Sequence, residues 1–296
     1  LETLYVSAVL IGTCYIFYTV SVQHLIGSAG EGEERTRNYS LFSLGVGLTA
    51  LLGPTTAGFA IDLVGHRATY LLLALFPALP ILALLFLARL LPRHQLHAAR
   101  RTEHRVMDLV RILPLRRALI TAGLIETGLE LFNFYLPIYA HSVGFSASQI
   151  GIIMGAFALA LLLVRSLMPL LVKRSSEERV LSASLLLAAA ASTLFPFVSS
   201  FALLLVMAFV LGLGLGCGSP LSMVLAYNRS PPGRSGEAMG LRQTVNKATE
   251  VVVPVIFGSV GTAFGIVPVF WLEALMLAAG GLLMRKDAAQ AAANKG

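Results

Sequence analysis

Charged and amide side chains recur in two otherwise apolar stretches of the chain. In the first stretch, Glu126 and Glu130 are one helical turn apart, and Asn133 and Pro137 continue the same helical face. A carboxylate inside a membrane cavity can bind and release a proton, which is the chemistry that couples solute movement to a proton gradient. A polar contact between two helices explains the same stripe, and both interpretations stay open.

The second stretch opens with a cluster of polar residues. Its members are Arg242, Gln243, Asn246, Lys247 and Glu250. Positions 243, 246, 247 and 250 share a helical face that cannot meet lipid cheaply, so we predict that it lines a solute pathway. Neutralisation of Lys247 by Glu250, three residues further on, is the competing interpretation. Arg242 is expected to extend to the membrane surface, as long basic side chains near helix ends do.

Arg165 is the basic residue of a third apolar stretch. Counting about 1.5 Å per helical residue places Glu126 and Arg165 at similar depths, which allows an ion pair that keeps Glu126 charged. On this reasoning Glu130 is the proton-binding residue and Glu126 is a charge-paired switch. The reverse assignment remains open.

The composition defines the environment of these residues. Of the 296 residues, 56% are hydrophobic and 12% are charged, and the mean hydropathy is +0.80. Soluble proteins carry about 25% charged residues, so both a soluble domain and a disordered chain are excluded. Cys14 and Cys217 lie in apolar runs without a second thiol at a metal-ligand spacing, and we predict no metal site, disulfide or cofactor.

A membrane-spanning helix needs about 20 mostly apolar residues, and the sequence contains nine such stretches. They are residues 3–26, 39–61, 68–90, 118–140, 148–172, 179–198, 201–227, 240–262 and 266–284. Lys and Arg concentrate in alternate connections, and those connections are expected to be cytoplasmic, as is the C-terminus. Because the net charge of +7 lies mostly in these connections, it indicates topology, and no nucleic-acid partner is predicted.

The chain also repeats itself at an offset of 200 residues. Pro54 matches Pro254 and Gly58 matches Gly258, and the second predicted span falls on the eighth. Parallel repeats of this kind occur in transporters. If the six spans from 118 to 284 form the later copy, three spans of the earlier copy are expected to precede Leu1.

These features together resemble the major facilitator superfamily, whose transporters have twelve helices in two halves. The resemblance rests on the Arg-rich segment 89–117, on Gly53-Pro54 with Gly58, and on the run 240–246. It implies an all-α bundle whose nine spans correspond to family helices four to twelve. The implied parts are 1–90, the remainder of the N-terminal half; 91–117, a basic cytoplasmic linker; 118–285, the C-terminal six-helix half; and 286–296, a cytoplasmic tail.

Glycine and proline suggest where such a bundle moves or packs. Gly53, Pro54, Gly58, Pro254 and Gly258 are predicted to form bends at moving interfaces or sites of close helix packing. Four alternating glycines, at positions 212, 214, 216 and 218, likewise predict close packing or a flexible segment.

The predicted function is secondary active transport of a small organic solute by alternating access. Proton-coupled efflux is favoured because Gly53-Pro54 and Gly58 partly match the family's antiporter motif. Proton symport for uptake and a ligand sensor that does not transport are the alternatives. No Walker, HExxH or Gly-x-Ser-x-Gly motif is present, so an enzyme is not predicted. The expected setting is the bacterial inner membrane, with lipid, solute and protons as partners and a monomeric chain.

Overall fold

The computed structural model describes residues 2–76, 78–87, 106–145 and 147–293, and these residues form helices joined by short connections. The helices are α1 (Glu2–Ser28), α2 (Glu33–Leu75), α3 (Ala78–Leu87), α4 (Asp108–Arg111), α5 (Leu113–Ser142), α6 (Ala147–Arg174), α7 (Glu177–Leu194), α8 (Phe201–Gly216), α9 (Gly218–Asn228), α10 (Ser235–Phe264) and α11 (Ile266–Ala293). The predicted all-α class is therefore confirmed.

Six helical segments of the described chain are long and apolar enough to cross a membrane. They are Leu10–Ser28, Gln149–Arg174, Glu177–Phe197, Phe201–Asn228, Ser235–Phe264 and Ile266–Gln290. Large apolar side chains such as Leu170 and Val255 are exposed on them, as expected for surfaces in contact with lipid. Helix α5 has 30 residues, which is long enough to span, although it is not one of these six. The number of nine spans stays a prediction.

The turn predicted at residues 62–67 is wrong, because α2 is one continuous helix of 43 residues from Glu33 to Leu75. The segment that was expected to turn, Asp-Leu-Val-Gly-His-Arg, contains no proline and a single glycine. One glycine costs a helix about 1 kcal/mol, which is too little to end it. The predicted spans 39–61 and 68–90 therefore do not form two helices separated by a loop.

The chain divides into two compact units. One comprises residues 1–43 and 104–296, and the other comprises residues 44–103, which include the rest of α2 and all of α3. In the larger unit, aromatic rings fill the core between α5, α6 and α11. Phe132 stacks on Phe157 with ring centroids 3.8 Å apart, and Phe195 stacks on Phe270 at 5.0 Å.

Both ends of the C-terminal half extend further than the sequence predicts. Helix α5 begins at Leu113, inside the predicted linker, because Pro114 is well suited to the first turn of a helix. Helix α11 continues to Ala293, through most of the predicted tail. Asp287 of this extension is buried and forms ion pairs with Arg117 and Arg229, which ties the extension to the bundle.

The helix ends follow the 200-residue repeat. Helix α1 covers residues 2–28, and α8 with α9 covers residues 201–228; α2 begins at residue 33 and α10 at residue 235. These three boundaries agree within two residues after the offset, whereas α2, which ends at Leu75, continues further than α10, which ends at Phe264. The later copy is broken at Cys217, between α8 and α9, whereas α1 is continuous.

Candidate functional site

The polar face of α10 is turned into the bundle at three positions. Arg242 is 1% exposed, Asn246 is 7% exposed and Gln243 is 8% exposed. Helix α10 packs against α1, α5, α9 and α11. Charged and amide groups at membrane depth are costly in lipid, so their burial between helices identifies this face as the polar centre of the larger unit.

The two polar stretches of the sequence meet at a hydrogen bond between α5 and α10. The Asn246 Nδ2 atom donates to Glu126 Oε2 at 3.0 Å. The Asn246 Oδ1 atom is buried and has no hydrogen-bond partner among the described residues. The amide therefore holds the carboxylate with its donor and keeps an unused acceptor.

The remaining members of the α5 stripe have different surroundings. Glu130 is half-buried, and its carboxylate forms no hydrogen bond or ion pair with the residues that the structure describes. Asn133 is exposed, and Pro137 lies inside the helix near its C-terminal end. Glu130 thus lies one turn from Glu126 without a fixed partner in the described chain.

The predicted ion pair between Glu126 and Arg165 is wrong. Arg165 is 9% exposed, and its Nε donates to the Gly216 carbonyl at 3.2 Å while Nη1 donates to the Ser43 carbonyl at 3.3 Å. Equal depth in the membrane does not define the direction in which a side chain points around its helix. The Arg165 side chain contacts α2 and α8, whereas Glu126 contacts α10.

Arg242 is the site residue that the sequence interpretation placed wrongly. Its Nε donates to Ser222 Oγ at 3.0 Å, and Nη2 approaches the carbonyl and hydroxyl oxygens of Ser219 at 3.4 Å. Its Nη1 is buried and has no hydrogen-bond partner in the described chain. Arg242 does not extend to the surface because the two serines of α9 hold its guanidinium inside. Their spacing of three residues, which places both on one helical face, was the available signal.

Lys247 and Glu250 form the local pair that the spacing allows. The Lys247 Nζ atom donates to both Glu250 carboxylate oxygens, at 2.5 and 2.8 Å. The two side chains are 43% and 33% exposed. Lys247 also lies 5.9 Å from the ring centre of Tyr15 on α1. The pair neutralises both charges and still borders open space.

The charges around Glu126 form one group. Its electrostatic neighbours are Arg242, Glu250, Glu130 and Lys247. Three carboxylates therefore face two cations, and the group carries one excess negative charge when every member is ionised. A single proton makes it neutral. The described residues contain no group of three or more His, Cys, Asp or Glu side chains that could hold a metal ion.

The four alternating glycines are sites of close packing. A Cβ at Gly212 would lie 2.5 Å from the Phe157 carbonyl oxygen, and one at Gly214 would lie 2.7 Å from the Ala188 backbone nitrogen. A Cβ at Gly216 would collide with a side-chain carbon of Val164, and one at Gly218 would lie 2.6 Å from a side-chain carbon of Ile125. The run brings α8 and α9 against α5, α6 and α7.

The predicted hinge residues are only partly described. Helix α2 is continuous through Gly53, Pro54 and Gly58, and their side-chain surroundings lie outside the described structure. Pro254 lies inside α10. Gly258 has open space where a Cβ would lie, so it makes no close contact there. Gly261, one turn further on, makes such a contact instead, since its Cβ would lie 2.8 Å from the Tyr135 hydroxyl.

The helix ends that flank the α1–α2 connection contact the helix ends that flank the α9–α10 connection. Arg35 donates to the Asn228 side chain, and its guanidinium lies 4.5 Å from the ring centre of Tyr227. His24 Nδ1 lies 3.0 Å from Ser235 Oγ. These two connections are equivalent in the repeat and are predicted to lie on the same side of the membrane.

Glu273 on α11 lies apart from this site. It is fully buried, and neither carboxylate oxygen has a hydrogen-bond partner in the described chain. Ser192 of α7, also fully buried, lies beside it.

The structure is an all-helical membrane bundle with a buried polar centre. The family model of the Major Facilitator Superfamily matches residues 1–140 and 118–295. The chain belongs to this superfamily, and it is a transporter rather than an enzyme. No curated protein sequence matches it.

Known structures of similar fold are transporters of the same superfamily. The fucose:proton symporter FucP of E. coli is 17% identical, with a TM-score of 0.66 over 86% of this chain and 68% of that protein. The human organic anion transporter MFSD10 is 17% identical, with a TM-score of 0.73 over 88% and 66%. FucP in the outward conformation is 16% identical, with a TM-score of 0.69 over 90% and 71%. The chain thus spans about two thirds of each, and the likeness shows the fold alone.

Proposed function

We propose that this chain carries the proton-coupling centre of a secondary active transporter for a small organic solute. The observation that supports the proposal best is the hydrogen bond between Glu126 and Asn246, because it joins α5 to α10 through a group that can gain and lose a proton. A protonation change at Glu126 alters a contact between two helices, which is how a proton can bias two conformations of a bundle.

In this proposal Glu130 takes up the proton and passes it to Glu126, one helical turn away, and the protonation of Glu126 is the switch. Glu130 has no hydrogen bond or ion pair in the described chain, so its proton can exchange without breaking one. Glu126 is held by Asn246 and interacts electrostatically with Arg242, so Arg242 takes the place that Arg165 held in the sequence interpretation.

Export through the bacterial inner membrane is the first candidate direction, as the partial antiporter motif around Gly53-Pro54 suggests. Uptake by proton symport is the second. The Arg242 Nη1, which has no partner among the described residues, favours it, because a buried cation with an available donor suits an acidic solute. A sensor that binds its ligand without moving it remains the third interpretation. We further propose that the protein acts as a monomer with a cytoplasmic C-terminus.

The test uses the full-length protein in proteoliposomes with an imposed pH gradient. Flux of labelled organic acids and of cationic drugs is measured with and without the gradient. Gradient-dependent flux of any solute supports the proposal, and saturable binding without flux in either direction indicates a sensor instead.

Two variants and a control then test the assignment of the acids. Glu130→Gln is expected to abolish gradient-driven accumulation while solute exchange without a gradient continues, since only the proton-dependent step is removed. Glu126→Gln is expected to slow both. Glu34→Gln, an equal charge change at an exposed position of α2, serves as the control. Normal gradient-driven flux in Glu130→Gln would remove Glu130 from the mechanism.

A further inference from the structure

The polar centre contains one buried donor and one buried acceptor that no described residue satisfies. They are the Arg242 Nη1 and the Asn246 Oδ1. Both residues belong to α10 and are four positions apart, so their side chains leave the same face of the helix one turn from each other. Leaving a charged donor without a partner in a protein interior is costly, and native structures rarely do so.

The guanidinium of Arg242 is held in place from one side. Ser222 accepts from Nε at 3.0 Å, and Ser219 offers its oxygens to Nη2 at 3.4 Å. With Nε and Nη2 occupied by α9, the unused edge of the guanidinium is the one that carries Nη1. Arg165, the other buried arginine of the described residues, donates instead to backbone carbonyls on two other helices. Among the buried cations that the structure describes, Arg242 is therefore the one with a donor to spare.

From this arrangement we infer that Arg242 and Asn246 form a subsite for the carboxylate of an organic acid that also bears a hydroxyl or N–H donor. The carboxylate accepts from Arg242 Nη1, and the hydroxyl or N–H group of the acid donates to Asn246 Oδ1. The inference rests on the proposed transport function and names the class of solute.

The surrounding charges restrict the ligand to a single negative charge. Glu126 is the carboxylate that interacts electrostatically with Arg242, and the second cation near Glu126, Lys247, is already paired with Glu250. A dianion on Arg242 would bring a second negative charge to Glu126 without a further unpaired cation among the described residues of the site. A monocarboxylate on Arg242 is repelled by the ionised Glu126, and a single proton on Glu126 removes that repulsion.

The subsite therefore links the acid to a proton. The charged groups in electrostatic contact with Glu126 are Arg242, Glu250 and Lys247 on α10 and Glu130 on its own helix. When a carboxylate occupies Arg242, an ionised Glu126 repels it and a protonated Glu126 does not. Acid and proton then bind together, which is the stoichiometry of symport.

Both unsatisfied atoms are shielded from solvent in this structure. Solute entry therefore requires the helices to separate. In a transporter that alternates between two openings, the subsite is reached in one state and enclosed in the next.

The binding test uses the full-length protein and three acids, each paired with its neutral amide. The pairs are lactate with lactamide, mandelate with mandelamide, and N-acetylglycine with N-acetylglycinamide. We expect at least one acid to raise the thermal unfolding midpoint and to show saturable binding by calorimetry, while its amide does not. If no acid binds, or if an amide binds as tightly as its acid, the inference is wrong.

Variants then locate the binding. Arg242→Lys retains the charge but loses the fork of donors, and it is expected to weaken acid binding about ten- to a hundredfold. Asn246→Leu removes the acceptor and is expected to weaken the hydroxy acids more than a plain acid such as propionate. Arg285→Lys, at an exposed position of α11, is the matched control. Unchanged acid affinity in a folded Arg242→Lys protein would overturn the inference. If the variant does not fold, the comparison of acid binding with amide binding in the unmutated protein still tests it.

The dependence on the proton is tested by repeating the titrations from pH 5 to pH 8. Acid affinity is expected to fall by up to about tenfold per pH unit where Glu126 loses its proton, and to become nearly independent of pH in Glu126→Gln. A different outcome is gradient-driven flux of a neutral or cationic solute, with the same rate in Arg242→Lys as in the unmutated protein. That result would refute the subsite and retain the proposed function. Acid binding at Arg242 without any flux would refute the transport proposal and retain the subsite.

Discussion

The contact between α7 and α8 at Gly214 permits a prediction of stability with a magnitude. A Cβ at this position would lie 2.7 Å from the backbone nitrogen of Ala188, 2.8 Å from its Cβ and 2.9 Å from its Cα. Carbon atoms in contact prefer about 3.5–4.0 Å, so the two helices would have to separate by about 1 Å. Because backbone atoms form the contact, no side-chain rotation relieves it.

Gly214→Ala is therefore expected to destabilise the protein. Overpacking of this kind costs about 1–3 kcal/mol, and a backbone contact belongs at the upper end. Replacing glycine by alanine inside a helix returns about 1 kcal/mol. The expected net loss in the free energy of unfolding is about 2 kcal/mol.

The matched control is Gly155→Ala. Gly155 is exposed in the middle of α6, and a Cβ there would meet no other atom within 4 Å. This variant is expected to gain up to about 1 kcal/mol, so the two alanine variants should differ by about 3 kcal/mol. Denaturant unfolding in micelles, followed through the fluorescence of Trp271, the single tryptophan of the chain, measures both. Equal stability of the two variants would show that α7 and α8 are not in contact at Gly214.

Three further substitutions have expected outcomes. Glu273→Leu removes a fully buried carboxyl group whose oxygens have no hydrogen-bond partner in the described chain. The free energy of unfolding is therefore expected to stay the same or to rise by up to about 3 kcal/mol; a large loss would reveal a partner. Asp287→Asn leaves Arg117 and Arg229 without their shared carboxylate and is expected to cost about 1–3 kcal/mol by the same assay, with no loss if the cluster is not formed in solution. Lys247→Met is expected to change the free energy of unfolding by less than about 1 kcal/mol, because the ion pair of Lys247 with Glu250 is partly exposed. The same variant is expected to impair flux; normal transport kinetics would show that Lys247 serves only to pair with Glu250.

The class of protein and its polar centre could be predicted from the sequence. Long apolar stretches can only be membrane helices, and charged residues within them must face inward. Periodicity then placed Glu126 on one inward face and Asn246 on another. Which side chains contact each other between the two helices depends on how the helices pack, and residue spacing along the sequence does not contain that information.

The two wrong predictions about side-chain partners share that cause. Glu126 and Arg165 were paired by depth, yet each side chain points toward a different neighbour, with Arg165 bound to the Gly216 carbonyl. The sequence predicts that Arg242 extends to the membrane surface because it lies near a helix end, but two serines of α9 bind its guanidinium inside the bundle. A helical wheel describes one helix, and the rotation of its neighbours is set by packing.

The sequence by itself thus determined an all-helical membrane bundle, its repeat and the residues that cannot face lipid, because hydrophobicity and helical periodicity are local properties of the chain. The tertiary structure decided the partners. In the folded chain Asn246 donates a hydrogen bond to Glu126, and one donor of Arg242 has no partner among the described residues. Four glycines lie in close contact with three other helices. Those outcomes depend on the close approach and mutual rotation of helices that are distant in sequence, and no local pattern contains that information.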